Sequence, residues 1–224
     1  MLFHTIEIGK NIFEENNKIA LLNKKSFDKY NIFSINVMGA IGSGKTTLIE
    51  YAISKLKEKY NIAVIAGDVV ADMDANRFAK LEIPTVPANT GRECHLDANL
   101  INNSLKRINL KNIDILFMEN VGNLICPVDF DLGEDMKIVI VSVSEGDDII
   151  LKHPNVFQIS DLAIINKVDI SKFVDVNPEK MRSDVEYLNQ NIQVIYTSKN
   201  DKNKMDEWVN IIEKKYLEKK NKMN

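Results

Sequence analysis

Little in these 224 residues can crosslink or ligate: the chain carries two cysteines and three histidines. Two thiols cannot staple a fold together, and a chain of this length buries enough apolar surface to need neither disulfides nor a structural metal. No apolar run approaches the ~18 residues that would read as a membrane-spanning helix. The leading stretch, MLFHTIEIGKNIFEENN, mixes acids into its apolar positions and shows neither the apolar core nor the cleavage site of a secretory signal. The expectation is a cytoplasmic protein without a membrane contact. A basic excess is missing too, since 29 Lys and Arg stand against 32 Asp and Glu, for a formal net charge of −3. That balance argues against nucleic acid as a partner. Internal repeats, low-complexity blocks and Gly/Ser/Pro-rich linkers are also lacking, so nothing divides the chain into separate globules.

What is present is an alternation. Short β-rich runs at Ile32–Met38, Ile62–Ala66, Thr85–Ala88, Ile113–Met118, Ile138–Val143, Leu162–Ile165 and Ile192–Thr197 are separated by helical periodicity. Lys45–Tyr60 carries Leu48, Ala52 and Leu56 on one face, and His95–Ile108 carries Leu96, Leu100, Ile101, Leu105 and Ile108. Apolar strands alternating with amphipathic helices predict an α/β fold, a mostly parallel central sheet covered by helices on both faces. Residues 1–30 read as an N-terminal helical segment packed on the domain, through Ile8, Ile12, Phe13, Ile19 and Leu22; residues 31–224 form the domain itself. Met205–Lys220 predicts a helix with Trp208, Ile211, Ile212 and Tyr216 inward, whose basic end, KKYLEKKNK, reads as solvated. In such a fold ligands belong at the carboxyl ends of the strands.

The first strand runs into Gly39-Ala-Ile-Gly-Ser-Gly-Lys-Thr46, a complete G-x-x-x-x-G-K-[ST] phosphate-binding loop with a helix behind it. Backbone N–H groups must converge on phosphate oxygens, so Gly39, Gly42 and Gly44 stand where side chains would obstruct, flanking Ser43. Lys45 supplies a cation to the β- and γ-phosphates, the Thr46 hydroxyl a ligand to Mg²⁺, and Thr47 continues the cradle into the helix, whose N-terminus adds partial positive charge.

Asn166-Lys167-Val168-Asp169 follows the apolar run LAII and resembles the N-K-x-D guanine-recognition motif of GTPases. A carboxylate at Asp169 accepts from guanine N1–H and the exocyclic N2 amine, donors that adenine does not present there. Lys167 lies along the base and Asn166 braces the loop. The supporting S-A-K loop of such GTPases is matched only in part by Thr197-Ser198-Lys199-Asn200, from which Ser198 is carried over.

Carboxylates cluster at two further strand ends. Glu119-Asn-Val-Gly122 stands where a small GTPase carries D-x-x-G, offering Glu119 to Mg²⁺ and the Gly122 N–H to the γ-phosphate. Gly67-Asp68-Val-Val-Ala-Asp72-Met-Asp74 places Asp68 and Asp74 beside the same cation. Lys45, Asp74 and Glu119 are the catalytic candidates, and the residue types leave open which acid orients the attacking water. Asn123 occupies the position of the water-positioning glutamine of small GTPases, so intrinsic turnover is expected to be slow.

Cys94-His95, in TGRECHLDANL, precedes a predicted helix, and Cys126 lies a few residues beyond Glu119 in VGNLICPVDFDLG. Thiolate and imidazole together suit Zn²⁺ or Ni²⁺. Both segments leave the same edge of the sheet, so the three side chains can converge.

Taken in order, G-A-I-G-S-G-K-T, T-G-R-E-C-H-L-D-A, E-N-V-G-N-L-I-C-P, E-G-D-D and N-K-V-D resemble the HypB family of hydrogenase nickel-incorporation GTPases over nearly the whole chain. The resemblance implies a SIMIBI-class P-loop NTPase that binds GTP and GDP with Mg²⁺ and dimerises with GTP bound. It also implies Zn²⁺ or Ni²⁺ held by Cys94, His95 and Cys126. Its implied partners are a HypA-like nickel chaperone and the NiFe-hydrogenase large subunit. The cysteine motif and histidine-rich stretch that precede the domain in bacterial members are missing here, which argues against bulk nickel storage. A urease GTPase of the same fold would carry Cys-Pro-His, whereas here Cys94 and His95 adjoin and Pro127 follows the other cysteine. A storage protein with an idle phosphate loop would not need Lys45, Thr46 and Asp169. A P-loop kinase would place arginines over the phosphates, and no arginine lies between Glu119 and Asn166.

Overall fold

The computed structural model describes residues 8–68, 73–91 and 93–223. Along them run α1 (Ile8–Lys29), β1 (Phe33–Gly39), α2 (Lys45–Leu56), β2 (Ile62–Asp68), α3 (Met73–Ala79), β3 (Thr85–Asn89), α4 (Ala98–Leu105), β4 (Ile115–Glu119), β5 (Met136–Ser142), α5 (Ile149–Lys152), α6 (Pro154–Ile159), β6 (Leu162–Asn166), α7 (Pro178–Leu188), β7 (Gln193–Tyr196) and α8 (Lys202–Met223), joined in places by 3-10 turns. All seven predicted strands form. They make one sheet in the order β3-β2-β4-β1-β5-β6-β7, and every neighbouring pair is parallel. From β1 the chain builds to one side through β2 and β3, and from β5 to the other through β6 and β7. The crevice at the carboxyl end of β1 is therefore the topological switch point, and it holds the glycine-rich loop.

Because helices cover both faces, successive residues of one strand enter different cores. Ile62, Val64 and Ala66 of β2 join Ile35, Val37 and Phe117 beneath α2 and α8. Ala63 and Ile65 join Leu116, Met118 and Phe27 beneath α1 and α4. On that second face a separate cluster gathers Val139, Val141, Ala163 and Ile165 with α6 and α7. Between the two clusters of the second face, β1 presents buried Ser34 and Asn36. Asp135 accepts from the Ser34 N–H and hydroxyl, both at 2.9 Å, and Glu134 accepts from Asn36 Nδ2 at 2.9 Å. A polar seam thus runs through the middle of the molecule with its hydrogen bonds made.

Two helix expectations change in detail. The predicted helix His95–Ile108 shortens to α4 because the Asp97 side chain accepts from Leu100 N at 2.6 Å and caps it there. Cys94 and His95 therefore lie in the loop ahead of the helix. In α1 the apolar residues suggest only part of the packing face: Phe13 meets the ring of Phe130 and Ile19 is half-buried. Ile12 and Leu22 are exposed, while Asn16, Ala20, Asn23 and Phe27 are buried. Two side-chain amides hold this helix down, because they meet backbone groups that irregular loops leave open. The basic end of α8 is solvated as expected at Lys214, Lys215, Lys220 and Lys222, with one departure. Lys219 turns inward, donating to Ile32 O at 2.7 Å and pairing with Asp135 at 2.7 Å and Asp28 at 3.1 Å. Two carboxylates near one buried carbonyl draw it away from solvent.

Trp208 of α8 is fully buried, and its indole N–H donates to Leu48 O of α2 at 3.0 Å. Trp208→Ala should cost about 3–5 kcal/mol of stability by leaving a cavity behind the phosphate-binding helix. Denaturant unfolding followed by circular dichroism reads this directly, since Trp208 is the chain's single tryptophan; an unchanged midpoint contradicts it.

Candidate nucleotide and metal sites

The loop from Gly39 to Lys45 leaves β1 and enters α2 through Gly44, whose φ of 107° lies in the left-handed region. A side chain there would be obstructed as well as strained, since a Cβ would fall 2.2 Å from Asn166 Nδ2. No side chain caps the start of α2. An uncapped helix start is what a phosphate site requires, since the anion itself takes the place of the cap. Lys45 is buried and donates to the carbonyls of Gly39 and Ala40, both at 3.1 Å. The Thr46 hydroxyl donates to Glu119 Oε1 at 2.7 Å, so a hydroxyl and a carboxylate, two hard oxygen donors, already face one point. Ser43 is buried in the loop and Thr47 faces Arg77, whose Nη2 donates to the threonine hydroxyl at 3.3 Å. A cavity of about 560 Å³ opens over this loop, lined by Gly42, Lys45, Thr46, Glu119, Gly122 and Arg77 among others. No motif of the sequence singles out Arg77; its bond to Glu50 as well, at 2.9 Å, ties α3 to α2.

A second cavity of about 270 Å³ shares Gly44, Thr47 and Lys167 with the first and is lined by Asn166, Asp169 and Asn200. Asn166 is its keystone. Its amide donates to Ser43 O at 2.8 Å, while its carbonyl accepts from Lys167 N at 2.8 Å and from the Thr197 hydroxyl at 2.9 Å. Lys167 takes a left-handed φ of 61°, and its ammonium donates to Gly42 O at 2.6 Å. Asp169 Oδ2 accepts from Asn200 Nδ2 at 2.9 Å, and buried Ser198 accepts from the Asn200 N–H at 3.2 Å. Asn200, which the partial S-A-K match passes over, is thus the residue that orients the aspartate. The carboxyl of Glu145, in the E-G-D-D stretch, is pushed up by burial and drawn back by the hydrogen bond it accepts from Ser142 N, at 2.9 Å, and by the charges of Lys167 and Lys45. The side chains of Asp68 and Asp74, with all of Asp72, lie outside the described residues.

The three soft-ligand candidates converge. Cys94 Sγ stands 2.6 Å from Cys126 Sγ and 3.9 Å from His95 Nδ1, and one ligand atom from each residue fits within 4.8 Å. Two thiols and an imidazole in that space fit a borderline-soft divalent ion. Sharing a hydrogen bond with Cys126, then burial, pushes the Cys94 thiol up; burial pushes the His95 imidazole down. His95 is buried against Phe130, with ring centroids 3.8 Å apart. Asn123 joins this cluster to the phosphate loop. Its backbone bridges to Gly39 in antiparallel fashion, and its side chain donates to Cys94 O at 3.2 Å. Asn120 adds a second tie by accepting from Leu96 N at 3.0 Å. Neither asparagine gives a ligand, so a search for ligand types does not single them out.

Residues 33–196 match the family model described as CobW/HypB/UreG, nucleotide-binding domain. The probable hydrogenase maturation factor HypB of Methanocaldococcus jannaschii is 46% identical over 217 residues, covering 97% of this chain and 98% of that protein. The crystal structure of hydrogenase maturation factor HypB from Archaeoglobus fulgidus superposes with a TM-score of 0.85 at 40% identity, covering 91% of this chain and 99% of that one. HypB from Helicobacter pylori, solved in complex with nickel, gives 0.86 at 32% identity, covering 91% and 96%.

Asn166→Ala removes the bonds to Ser43 O, Lys167 N and Thr197 at once. It should lower stability by about 1–3 kcal/mol through the buried groups left open, and weaken nucleotide binding as the two cavities lose their shared wall. Paired denaturant and nucleotide titrations test this; a loss of stability at unchanged nucleotide affinity speaks against a shared wall.

Proposed function

This chain belongs to the CobW/HypB/UreG nucleotide-binding family, and on that premise we propose that it is a GTP-hydrolysing metallochaperone that binds Zn²⁺ or Ni²⁺ and assists nickel insertion into NiFe-hydrogenase. The observation that carries this reading is the contact of one short loop with both sites. Gly122 lines the phosphate cavity, Asn123 bridges to Gly39 and holds Cys94, and Cys126 follows three residues later.

In the proposed reaction the backbone of Gly39, Gly42, Ser43 and Gly44 cradles the phosphates of GTP. Lys45 exchanges its loop carbonyls for β- and γ-phosphate oxygens, and Thr47 completes the cradle. Thr46 and Glu119 would hold Mg²⁺, with Asp68 and Asp74 near it; when bound, the ion supplies charge that offsets the phosphates. Gly122 offers its N–H to the γ-phosphate, and Asp74 or Glu119 orients the attacking water. Asp169 reads guanine while Asn166, Lys167 and Ser198 shape the base pocket. Cys94, His95 and Cys126 hold the metal cargo. A homodimer stabilised by GTP, a HypA-like nickel chaperone and the hydrogenase large subunit complete the proposed cycle in the cytoplasm.

Guanine selectivity is testable at one atom. Asp169→Asn should weaken GTP binding by roughly 2–4 kcal/mol and favour a xanthine nucleotide, whose C2 oxygen accepts from the new amide. Competition titrations with GTP, ATP and XTP decide it, and equal wild-type affinity for ATP and GTP sinks the assignment.

Coupling between the sites is a second expectation. A non-hydrolysable GTP analogue should raise metal affinity over the GDP state by about 5-fold or more, and metal must raise the preference for the analogue over GDP by the same factor. Cys126→Ala should weaken metal binding and abolish the difference. Equal Zn²⁺ and Ni²⁺ affinities with both nucleotides, and a monomer throughout, refute the coupling.

A further inference from the structure

Helix α1 supplies none of the proposed metal ligands, yet it is bound to both loops that carry them. Asn16, buried and facing the domain, uses its two amide atoms on two different segments. Its Oδ1 accepts from Ala98 N at 2.8 Å, three residues past His95. Its Nδ2 donates to Asp131 O at 2.8 Å, five residues past Cys126. Two turns on, fully buried Asn23 repeats the pattern, donating to Ala98 O at 2.9 Å and Leu132 O at 3.1 Å. Gly133 lets these segments come together, since a Cβ there would lie 2.3 Å from Ala20 O of the helix. The ring of Phe13 meets Phe130 at 5.4 Å, and Phe130 in turn stacks on His95. Cys94 and Cys126 are far apart in sequence, so their register depends on whatever spans the two loops.

We infer that Asn16 is a positioning residue that fixes Cys94 and His95 in register with Cys126, with Phe130 holding the His95 ring from behind. The inference rests on the reading of these three side chains as a metal site. An alanine at position 16 would leave the buried Ala98 N–H and the part-buried Asp131 carbonyl open, and only Asn23, two turns further from the ligands along the helix, would still tie both segments to α1. A carbon chain could fill the space but could not join a donor to an acceptor. This explains why an asparagine occupies a helix face that otherwise packs Ala20 and Phe27.

The test reads the register without metal. Diamide oxidises two thiols to a disulfide, taking up their two protons and two electrons to become the hydrazine. The chain has only two cysteines, so loss of free thiol reports one pair. Adjacent thiols react as though at high concentration, and separation removes that advantage. In Asn16→Ala the intramolecular rate should fall by about 10-fold or more, with non-reducing electrophoresis excluding disulfide dimers. Trp208→Phe, which loosens the fold far from the thiols, should oxidise at the wild-type rate. Zn²⁺ affinity should also fall by about 10-fold in Asn16→Ala and in Phe130→Leu, and the Co²⁺ absorption bands should change shape. Wild-type oxidation rate and Co²⁺ spectrum in a folded Asn16→Ala overturn the inference. A wild type that binds neither Zn²⁺ nor Co²⁺ overturns the metal reading instead, and the oxidation rates still decide the register.

Discussion

Asn123 makes two bonds that point in different directions. Its backbone pairs with Gly39, the first residue of the phosphate loop, and its side-chain amide reaches Cys94 O at 3.2 Å. A shift of the loop toward or away from the phosphates therefore moves a group that holds one thiol and lies three residues from the other. The position matters because small GTPases use it for a water-positioning glutamine. Here the amide is engaged with the metal loop, and its remaining oxygen accepts from Ile125 N at 2.9 Å. A side chain committed in this way is a poor guide for an attacking water, which agrees with slow intrinsic turnover on the proposed function. On the proposed function, coupling and catalysis would compete for one residue.

The scaffold that makes such coupling credible is polar as well as apolar. Asn36, in the middle of the central strand, accepts from Asn120 Nδ2 at 3.2 Å and donates to Glu134. Glu134 is buried, and burial raises its carboxyl pKa while the nearby Lys137 charge opposes the rise. Its second oxygen accepts from Leu132 N at 2.8 Å. The chain from Asn123 to Asp135 is thus fastened to the phosphate loop at its start and to α1 and β1 further on. An apolar seam could be better for stability, since buried polar groups gain little net free energy. What the hydrogen bonds add is direction: each fixes one atom against one other, where apolar packing tolerates sliding.

Periodicity revealed the inner strands because they are buried on both faces, leaving near-continuous apolar runs, whereas the edge strand β3 shows the alternation of a half-exposed one. The P-loop and N-K-V-D were legible because their chemistry restricts residue type at adjacent positions. Neither advantage extends to the asparagines. Asn16, Asn23, Asn120 and Asn123 act on backbone atoms, and Asn200 on a carboxylate, that only the fold brings close; Asn16 bonds partners 82 and 115 positions away. An asparagine in a helix reads as a weak former or a solvated residue, so the burial of Asn16 and Asn23 was invisible and the apolar side of α1 drew the attention. Lys219 escaped for the same reason. Within a run of lysines nothing distinguishes the one that meets two carboxylates and a carbonyl. Cys94 and His95 were read as opening a helix because Leu96 continues the apolar period, whereas Asp97 was the local signal for a later start.

Three ligands from one chain have a consequence for the proposed cargo. A closed structural zinc site takes about four protein ligands, and a site with an open position can exchange what it holds. The burial of the three side chains is graded: His95 is shielded by Phe130, Cys126 is half-buried and Cys94 is exposed. Exchange then proceeds from the thiol side, with the imidazole as the fixed post. A second subunit across a two-fold axis would present the same exposed cysteine and complete the coordination, while a partner offering its own ligands would compete for that position. On the proposed function, hydrolysis would need only to separate the subunits or slacken the Asn123 loop to turn the first arrangement into the second. The energy of the nucleotide is then spent on geometry around the exposed thiol, which is where a carrier must be tight at one moment and open at the next.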